Sequence, residues 1–441
     1  MLITRLQVNV SQLSIGMFVS NLDCPWGKTP FPLQGFLIQS PGQIEELKRY
    51  CNAVHIDVAK SEVPIEAKKG KAPLGSKGGV SDHTGKQAKP ITVKLNKIKI
   101  QSHSYAPAKP IKTEFKQAKR FHDDVKQSLE SVSKQIMGGE IPTIDKLKSS
   151  VGNMVESVIR SPDTFTWLCQ VNDKDNYTYS HSLRCAVWAV IFGRHIGLSK
   201  SQLDILAASV LLKDIGKIKL PKGLLEKKNK TPQEQKIYET FVVHSTDMLK
   251  LSKTVDTRVI KIVETHCEYV NGSGFPHQLE GDKIPLLAKI AGLVTFYDNL
   301  VNPRVASMAL SSSKATAELY KQRNYAFQEQ LIVEFIHAIG LYPVGTAVVL
   351  STGEVGLVVE QNSQHRLKPK VLILIDKYKS YLGVPVVLDM AQVSQKNNAD
   401  KVEISRDIEL SRLGISTEQA RDLLLQSSHY KSLFSRFNIF R

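Results

Sequence analysis

Leu211-Leu212-Lys213-Asp214-Ile215-Gly216-Lys217-Ile218-Lys219-Leu220-Pro221 is the stretch on which the reading of this chain turns. A helical pattern over 200–213 runs into it and ends on Lys213 and Asp214. Outward from it lie His181, His244, His266-Cys267-Glu268, Gly272-Ser273-Gly274-Phe275-Pro276 and Asp298. A lone histidine on a helix is usually a surface or core residue. Three beside an aspartate, each near the end of an expected helix, sit where an all-α protein gathers helix ends around one cavity. Spacing alone leaves two readings open, a buried polar or metal site and a set of scattered histidines.

The surrounding pattern is mainly α. Over 113–340 apolar residues recur every three to four positions, with helices expected over 113–137, 143–159, 176–192, 200–213, 232–251, 257–268 and 284–300. Gly138-Gly139 separates the first two. From Pro343 the period changes to two: 347–350, the turn Ser351-Thr352-Gly353-Glu354 and 355–359 predict a hairpin, followed by strands over 371–375 and 384–388. Residues 398–441 return to helix, with Ser416-Thr417-Glu418-Gln419 opening one. Ahead of the helical region, 1–60 mixes short strands (5–10, 18–21, 36–38 and a closing one over 53–58) with a helix starting near Pro41. The expected organisation is therefore a small α+β domain over 1–60, a linker over 61–112, an all-helical bundle over 113–340, a small β-rich unit over 341–397 and a helical tail over 398–441. Internal repeats do not occur.

Composition bounds the function. A chain of 441 residues with 42% hydrophobic and 23% charged residues is an ordinary globular protein of two or three folded units. Five scattered cysteines (Cys24, Cys51, Cys169, Cys185, Cys267) suit a reducing compartment better than a disulfide framework. The apolar run from Cys185 is interrupted by Arg194 and His195, short of the roughly 18–20 apolar residues of a membrane span. Residues 1–10 lack the apolar core of a signal peptide, so a cytoplasmic protein without a membrane span is expected.

The net charge of +17 raises a nucleic-acid reading, but the charge is concentrated: 61–112 holds eleven lysines against three acids. That segment also carries five prolines and Gly78-Gly79, a composition that buries too little to order itself, although 92–100 has strand character. With no recognition motif and no aromatic interleaving, specific nucleic-acid binding is not expected.

Three groups of residues together resemble the HD-GYP family of bacterial cyclic-di-GMP phosphodiesterases. They are Asp175, Tyr177, Thr178, His181 and Ser182; the stretch from Leu211 to Pro221 quoted above; and His266, Glu268, Gly272, Ser273, Gly274 and Pro276. Residues 1–60 resemble the uncharacterised domain often fused ahead of such modules, and 340–388 resemble their β-rich tail. The resemblance implies an HD-type bundle that cleaves cyclic-di-GMP with two or three metals, usually iron or manganese. Such ions activate a water and neutralise charge on the attacked phosphate.

Carried over residue by residue, the first metal would need His181, a histidine at 213, Asp214 and an aspartate at 295. This chain has Lys213 and Thr295 instead. The second would need Asp214, His244, His266 and a histidine at 267, where Cys267 stands. Asp214, matching the shared carboxylate, and Lys217, matching a phosphate-contacting position, are the candidate catalytic residues. Lys213, Lys217, Gly274, Phe275, Pro276 and Arg304 are the candidate ligand-binding set, while Ser307 stands where another cation is expected. A thiolate at 267 would favour zinc. An ammonium about 4 Å from a divalent ion is repelled by roughly 8 kcal/mol at an effective dielectric near 20, twice the unit-charge figure.

The expectation is fewer than two ions (manganese, iron or zinc), down to none. The ammonium of Lys213 then stands in for the first ion, leaving a module of cyclic-di-GMP signalling that is catalytically impaired and acts by binding the nucleotide or a protein partner. The competing expectation is an active phosphodiesterase with an altered metal set.

Overall fold

The computed structural model describes residues 5–24, 36–38, 40–57, 61, 95–101, 105–106, 108–171, 177–362, 367–396, 402–408, 413, 419, 422 and 423. They fall into two compact units, Met1–Val80 and Ser81–Arg441.

In the first unit, β1 (Arg5–Asn9), β2 (Phe18–Leu22), β3 (Phe36–Leu37), α1 (Pro41–Tyr50) and β4 (Ala53–Asp57) follow in order. The strands form one antiparallel sheet in the order β1-β4-β2-β3. Val54 and Ile56, two apart on β4, point to one face and join Val19, Ile38 and Leu47 in the core. Pro41 in the first turn and the side chain of Gln43, which accepts the Ser40 N–H, start α1. The alternation legible in the sequence is thus realised within a residue or two at each strand.

The second unit is built on helices: α2 (Ile111–Met137), α3 (Asp145–Arg160), α4 (Pro162–Val171), α5 (Tyr177–Ile196), α6 (Lys200–Leu212), α7 (Lys222–Glu226), α8 (Pro232–Leu251), α9 (Thr257–Thr265), α10 (Leu286–Val301), α11 (Ser312–Lys321) and α12 (Glu329–Ile339). Helix α5 is buried around almost its whole circumference, because α4, α6, α10 and α12 all pack on it. This is why the apolar run from Cys185 carries no polar stripe: it is the central helix of a bundle. Among the described residues no helix is long and apolar enough to cross a membrane. Reciprocal side-chain caps fix the starts of the helices that flank the site. Ser199 and Gln202 cap α6, Thr231 and Glu234 cap α8, and Pro232 opens the latter.

A five-stranded antiparallel sheet completes this unit: β5 (Ala347–Leu350), β6 (Val355–Glu360), β7 (Lys370–Ile375), β8 (Tyr381–Asp389) and, after α13 (Met390–Lys396), β9 (Ile404–Ile408), in the order β8-β7-β6-β5-β9. The predicted hairpin and both further strands are present.

Three expectations need correction. Ile404–Ile408 is not helix but strand, because β5 would otherwise leave its ladder groups unpaired on that edge; the helix start at 416–418 lies outside the described residues. Residues 95–100 form no strand. With no sheet edge beside them, they are held by side-chain amides: Gln328 Nε2 donates to Asn96 O (2.8 Å), and Gln330 both accepts from Ile98 N (2.9 Å) and donates to Ile98 O (3.0 Å). Finally, the helix expected over 257–268 stops at Thr265, so His266, Cys267 and Glu268 lie on the turn beyond it. Positions 62–94 of the linker lie outside the described residues.

Candidate ligand and metal site

The end of α6 is pinned against α8 by one serine. Ser245 Oγ donates to Lys213 O (2.8 Å) and accepts the Gly216 N–H (2.9 Å). Any Cβ at Gly216 would collide with the backbone of Phe241 and Ser245, so only glycine lets the turn Ile215–Lys219 lie this close to α8. This contact places Lys213 and Asp214 beside His181 on α5.

There the side chains form one buried charge network. Lys213, fully buried, directs its ammonium at the Asp214 carboxylate, while its Nζ lies 3.3 Å from His181 Nε2. Lys217 Nζ reaches the other oxygen of Asp214, Oδ1, at 2.8 Å. Because an ammonium faces Nε2 of His181, that nitrogen accepts, and Nδ1 carries the proton it donates to Asp298 Oδ2 (2.7 Å). Asp298 is in turn clamped by Arg184 Nε (2.9 Å) and Asn302 Nδ2 (2.9 Å).

Protonation follows from this geometry. Burial, reinforced by the nearby Lys213 charge, pushes His181 down to about 4, so the imidazole is neutral. Burial alone would raise Asp214, but Lys213 and Lys217 outweigh it and hold the carboxyl well below its usual value. Likewise burial opposes the charge on Lys217 and Asp214 overrides it, so that ammonium is held more firmly than usual. Asp298 is lowered to about 2, the charge of Arg184 and the bonds from His181 and Arg184 exceeding the cost of burial.

The remaining candidate ligands make a different arrangement. His266 Nδ1 donates to Val263 O (2.7 Å), and its Nε2 faces the Cys267 sulfur at 3.3 Å. Burial pushes His266 down to about 4 and the Cys267 thiol up to about 12, so a neutral ring accepts from a protonated thiol. His244 lies half-buried on α8. Among the described residues, no three donor atoms of Asp214, His244, His266 and Cys267 lie within 4.8 Å of one another. Beyond them Glu268 accepts from His277 N (2.7 Å) and Leu279 N (2.9 Å), which holds the loop carrying Gly274, Phe275 and Pro276. A Cβ at Gly274 would strike the backbone of Cys267 and Tyr269, so the loop closes tightly under the site.

Cations line the rim. Lys217 Nζ sits 4.8 Å from the centre of the Phe241 ring, whose edge meets Phe275. Arg304 lies over Tyr177 at 4.6 Å and donates to Thr178 Oγ1 (3.1 Å), and Tyr177 in turn stacks on His181. The candidate ligand set therefore divides into a buried lysine, Lys213, and partly accessible groups at Lys217 and Arg304. Asp175 lies outside the described residues.

Comparison with known proteins follows the same stretch of chain. The HD domain family matches residues 170–331, which contain every side chain of the network. A cyclic di-GMP phosphodiesterase of Pseudomonas aeruginosa, PA4108, is 25% identical over 399 residues, 90% of this chain and 91% of that protein. The chain thus carries an HD domain and is similar to cyclic di-GMP phosphodiesterases. A domain of unknown function, DUF3391, matches residues 5–147, and a KOW domain associated with HD domain matches residues 347–395. The chain is also similar to the cyclic di-GMP phosphodiesterase response regulator RpfG of Xanthomonas campestris, with 27% identity over 211 residues, 47% of this chain and 54% of the relative. The 3'3'-cGAMP-specific phosphodiesterase 2 of Vibrio cholerae is 29% identical over 164 residues, 37% of this chain and 31% of that protein. Among solved structures, the HD-GYP-type protein Bd1817 of Bdellovibrio bacteriovorus aligns with a TM-score of 0.43 and 14% identity, over 75% of this chain and 98% of its own.

The HD-GYP resemblance implies metal ions, and the residues can be tested for the fit. Between His181 and Asp214 the first ion would meet the Lys213 ammonium, already bonded to that carboxylate. Thr295 supplies no carboxylate, its hydroxyl being turned back onto Ala291 O (2.7 Å). The first position does not fit a cation. The second lacks convergence, since among the described residues no three donor atoms of Asp214, His244, His266 and Cys267 come within 4.8 Å of one another. A third grouping, His181 with Cys185 and Asp298, has donor atoms within 4.8 Å, but the Arg184 guanidinium already neutralises Asp298 and burial keeps the Cys185 thiol protonated.

Sequence reasoning noted Asp298 without a role and missed Arg184, Asn302 and Ser245. The first two were accessible in principle: Arg184 lies three residues after His181, and Asn302 four after Asp298, spacings that share a helix face. Ser245 could not be found from one sequence, since its partners are backbone groups.

Proposed function

We propose that this protein is a catalytically impaired HD-GYP module that binds cyclic di-GMP without hydrolysing it. One observation carries the reading: the buried Lys213 ammonium lies against Asp214 and His181, where the family logic calls for an ion. A two-metal hydrolase needs two positive centres that can activate a water. An ammonium has no open coordination position and supplies neither a metal-bound hydroxide nor a Lewis acid. Lys217 and Arg304, both partly accessible, remain suited to the phosphates of a dinucleotide. That relatives of this chain are cyclic di-GMP phosphodiesterases supports the choice of ligand.

The test is incubation of the full chain with cyclic di-GMP and manganese or ferrous iron under anaerobic conditions, alongside calorimetric binding. Saturable binding with the dinucleotide recovered intact is the expected result. Linear dinucleotide or GMP that disappears in Asp214→Ala would refute the impairment. Absence of any guanine-nucleotide binding would refute the ligand and leave a protein partner as the remaining role.

A further inference from the structure

A second cluster of metal-type donors lies far from the charge network. His195, near the end of α5, directs Nε2 at Glu334 Oε2 (2.9 Å), and His337, three residues on along α12, directs Nδ1 at the same oxygen (3.6 Å). The two rings stand at 68° with centroids 6.5 Å apart, so their nitrogens approach one carboxylate from different directions. One donor atom from each residue falls within 4.8 Å of the others. The side chains are 17%, 21% and 34% exposed for His195, Glu334 and His337, enough for water to complete a coordination sphere. Fourteen residues of helix separate His195 from His181, about 21 Å at the α-helical rise, so this cluster is independent of the site described above.

We propose that His195, Glu334 and His337 form a binding site for a zinc-type divalent ion. Two imidazoles and one carboxylate are the borderline donor set that zinc takes in a three-residue site, with water in the fourth position. A glutamate and a histidine three apart on one helix present both donors to the same side, and the third comes from a neighbouring helix. Without the ion each ring can donate an N–H to the carboxylate. On binding, each ring offers that nitrogen's lone pair and carries its proton on the other nitrogen.

The position suggests what the ion would do. Gln330, one turn before Glu334, holds Ile98, and Ile196 O, next to His195, accepts the Gln101 N–H (3.0 Å). An ion joining α5 to α12 would thus fasten the seat on which residues 96–101 lie.

Zinc titration of the full chain by calorimetry, with hydrogen exchange at Ile98 and Gln101, tests this. The expected result is a zinc site weakened at least about tenfold in Glu334→Gln and in His337→Gln, since losing even an outer partner of a metal ligand costs roughly 10- to 100-fold. The site should survive intact in His266→Gln/Cys267→Ser, and zinc should slow exchange at Ile98 and Gln101 in the wild type and in that variant but not in Glu334→Gln or His337→Gln. Equal zinc stoichiometry and affinity in the wild type and in His195→Gln/His337→Gln would overturn the proposal and reduce the cluster to a pair of hydrogen bonds. Should the double variant fail to fold, the half-exposed His337→Gln alone decides.

Discussion

Replacing Asp214 by asparagine separates an internal ion cluster from an empty metal site. The Asp214 side chain is 2% exposed and lies between the Lys213 ammonium, 1% exposed, and Lys217, 14% exposed. At 2.8 Å the pair with Lys217 alone represents a gross attraction of about 6 kcal/mol at an effective dielectric of 20. Desolvation offsets much of that, yet removing one partner still leaves buried cations uncompensated, which costs about 3–5 kcal/mol. For a unit as large as Ser81–Arg441 the melting temperature should fall by roughly 4–7 °C.

The assay is thermal unfolding at neutral pH with EDTA present. If Asp214 served only a metal, its removal without metal would be neutral or would raise the melting temperature by relieving an unpaired buried charge. A melting temperature within about 1 °C of wild type, less than about 1 kcal/mol for such a unit, would refute the ammonium-for-ion account. The pH dependence has a definite sign. A carboxyl depressed below its ordinary 3.8 contributes stability above that value and loses it as pH falls through the folded pKa. The gap between wild type and Asp214→Asn should therefore persist down to about pH 4 and close only below it.

Further outcomes follow from the same geometry. Lys217→Ala should weaken cyclic di-GMP binding about tenfold or more in calorimetry, because it removes a charge-assisted contact on the accessible rim. Lys213→His/Thr295→Asp should gain a manganese site detectable by equilibrium dialysis, since it exchanges the buried ammonium for two donors. Asp163, on α4, accepts the Gln361 N–H (3.1 Å), and burial lifts its carboxyl to about 7. A carboxyl so raised is stable when protonated and costs stability as pH rises from its ordinary 3.8 towards about 7, so Asp163→Asn should flatten that decline in pH-dependent denaturation.

The bundle was legible because its helices repeat apolar positions at a helical period, and the sheet because Ala347–Leu350 and Val355–Glu360 are short valine-rich apolar runs around a glycine turn. Glycine turns and apolar spacing are local signals. Ile404–Ile408 was not legible: its two isoleucines stand four apart around Ser405, Arg406 and Asp407, and only the open edge of β5 makes it a strand. The extent of α9 misled for a related reason. Residues 266–268 continue the helical pattern, but Glu268 spends its carboxylate on the backbone of His277 and Leu279, and that loop pulls the chain out of the helix.

At the site, identity was legible and arrangement was not. Lys213 beside Asp214 announces a conflict with any cation, which is a statement about charge and survives without coordinates. How the conflict is resolved depends on Asp298, whose bond to Nδ1 fixes the His181 proton and leaves Nε2 free to accept from the ammonium. A metal would ask the same of His181, a bare nitrogen facing Asp214. The ammonium therefore preserves the tautomer, the ionised carboxylate and the packing of α5 on α6 that an ion would require, while contributing one positive charge and no open coordination position. On the proposed reading, Lys213 keeps the architecture of a hydrolase and removes the step that makes one. This is why the stability of Asp214→Asn, rather than its activity, is the sharper measurement.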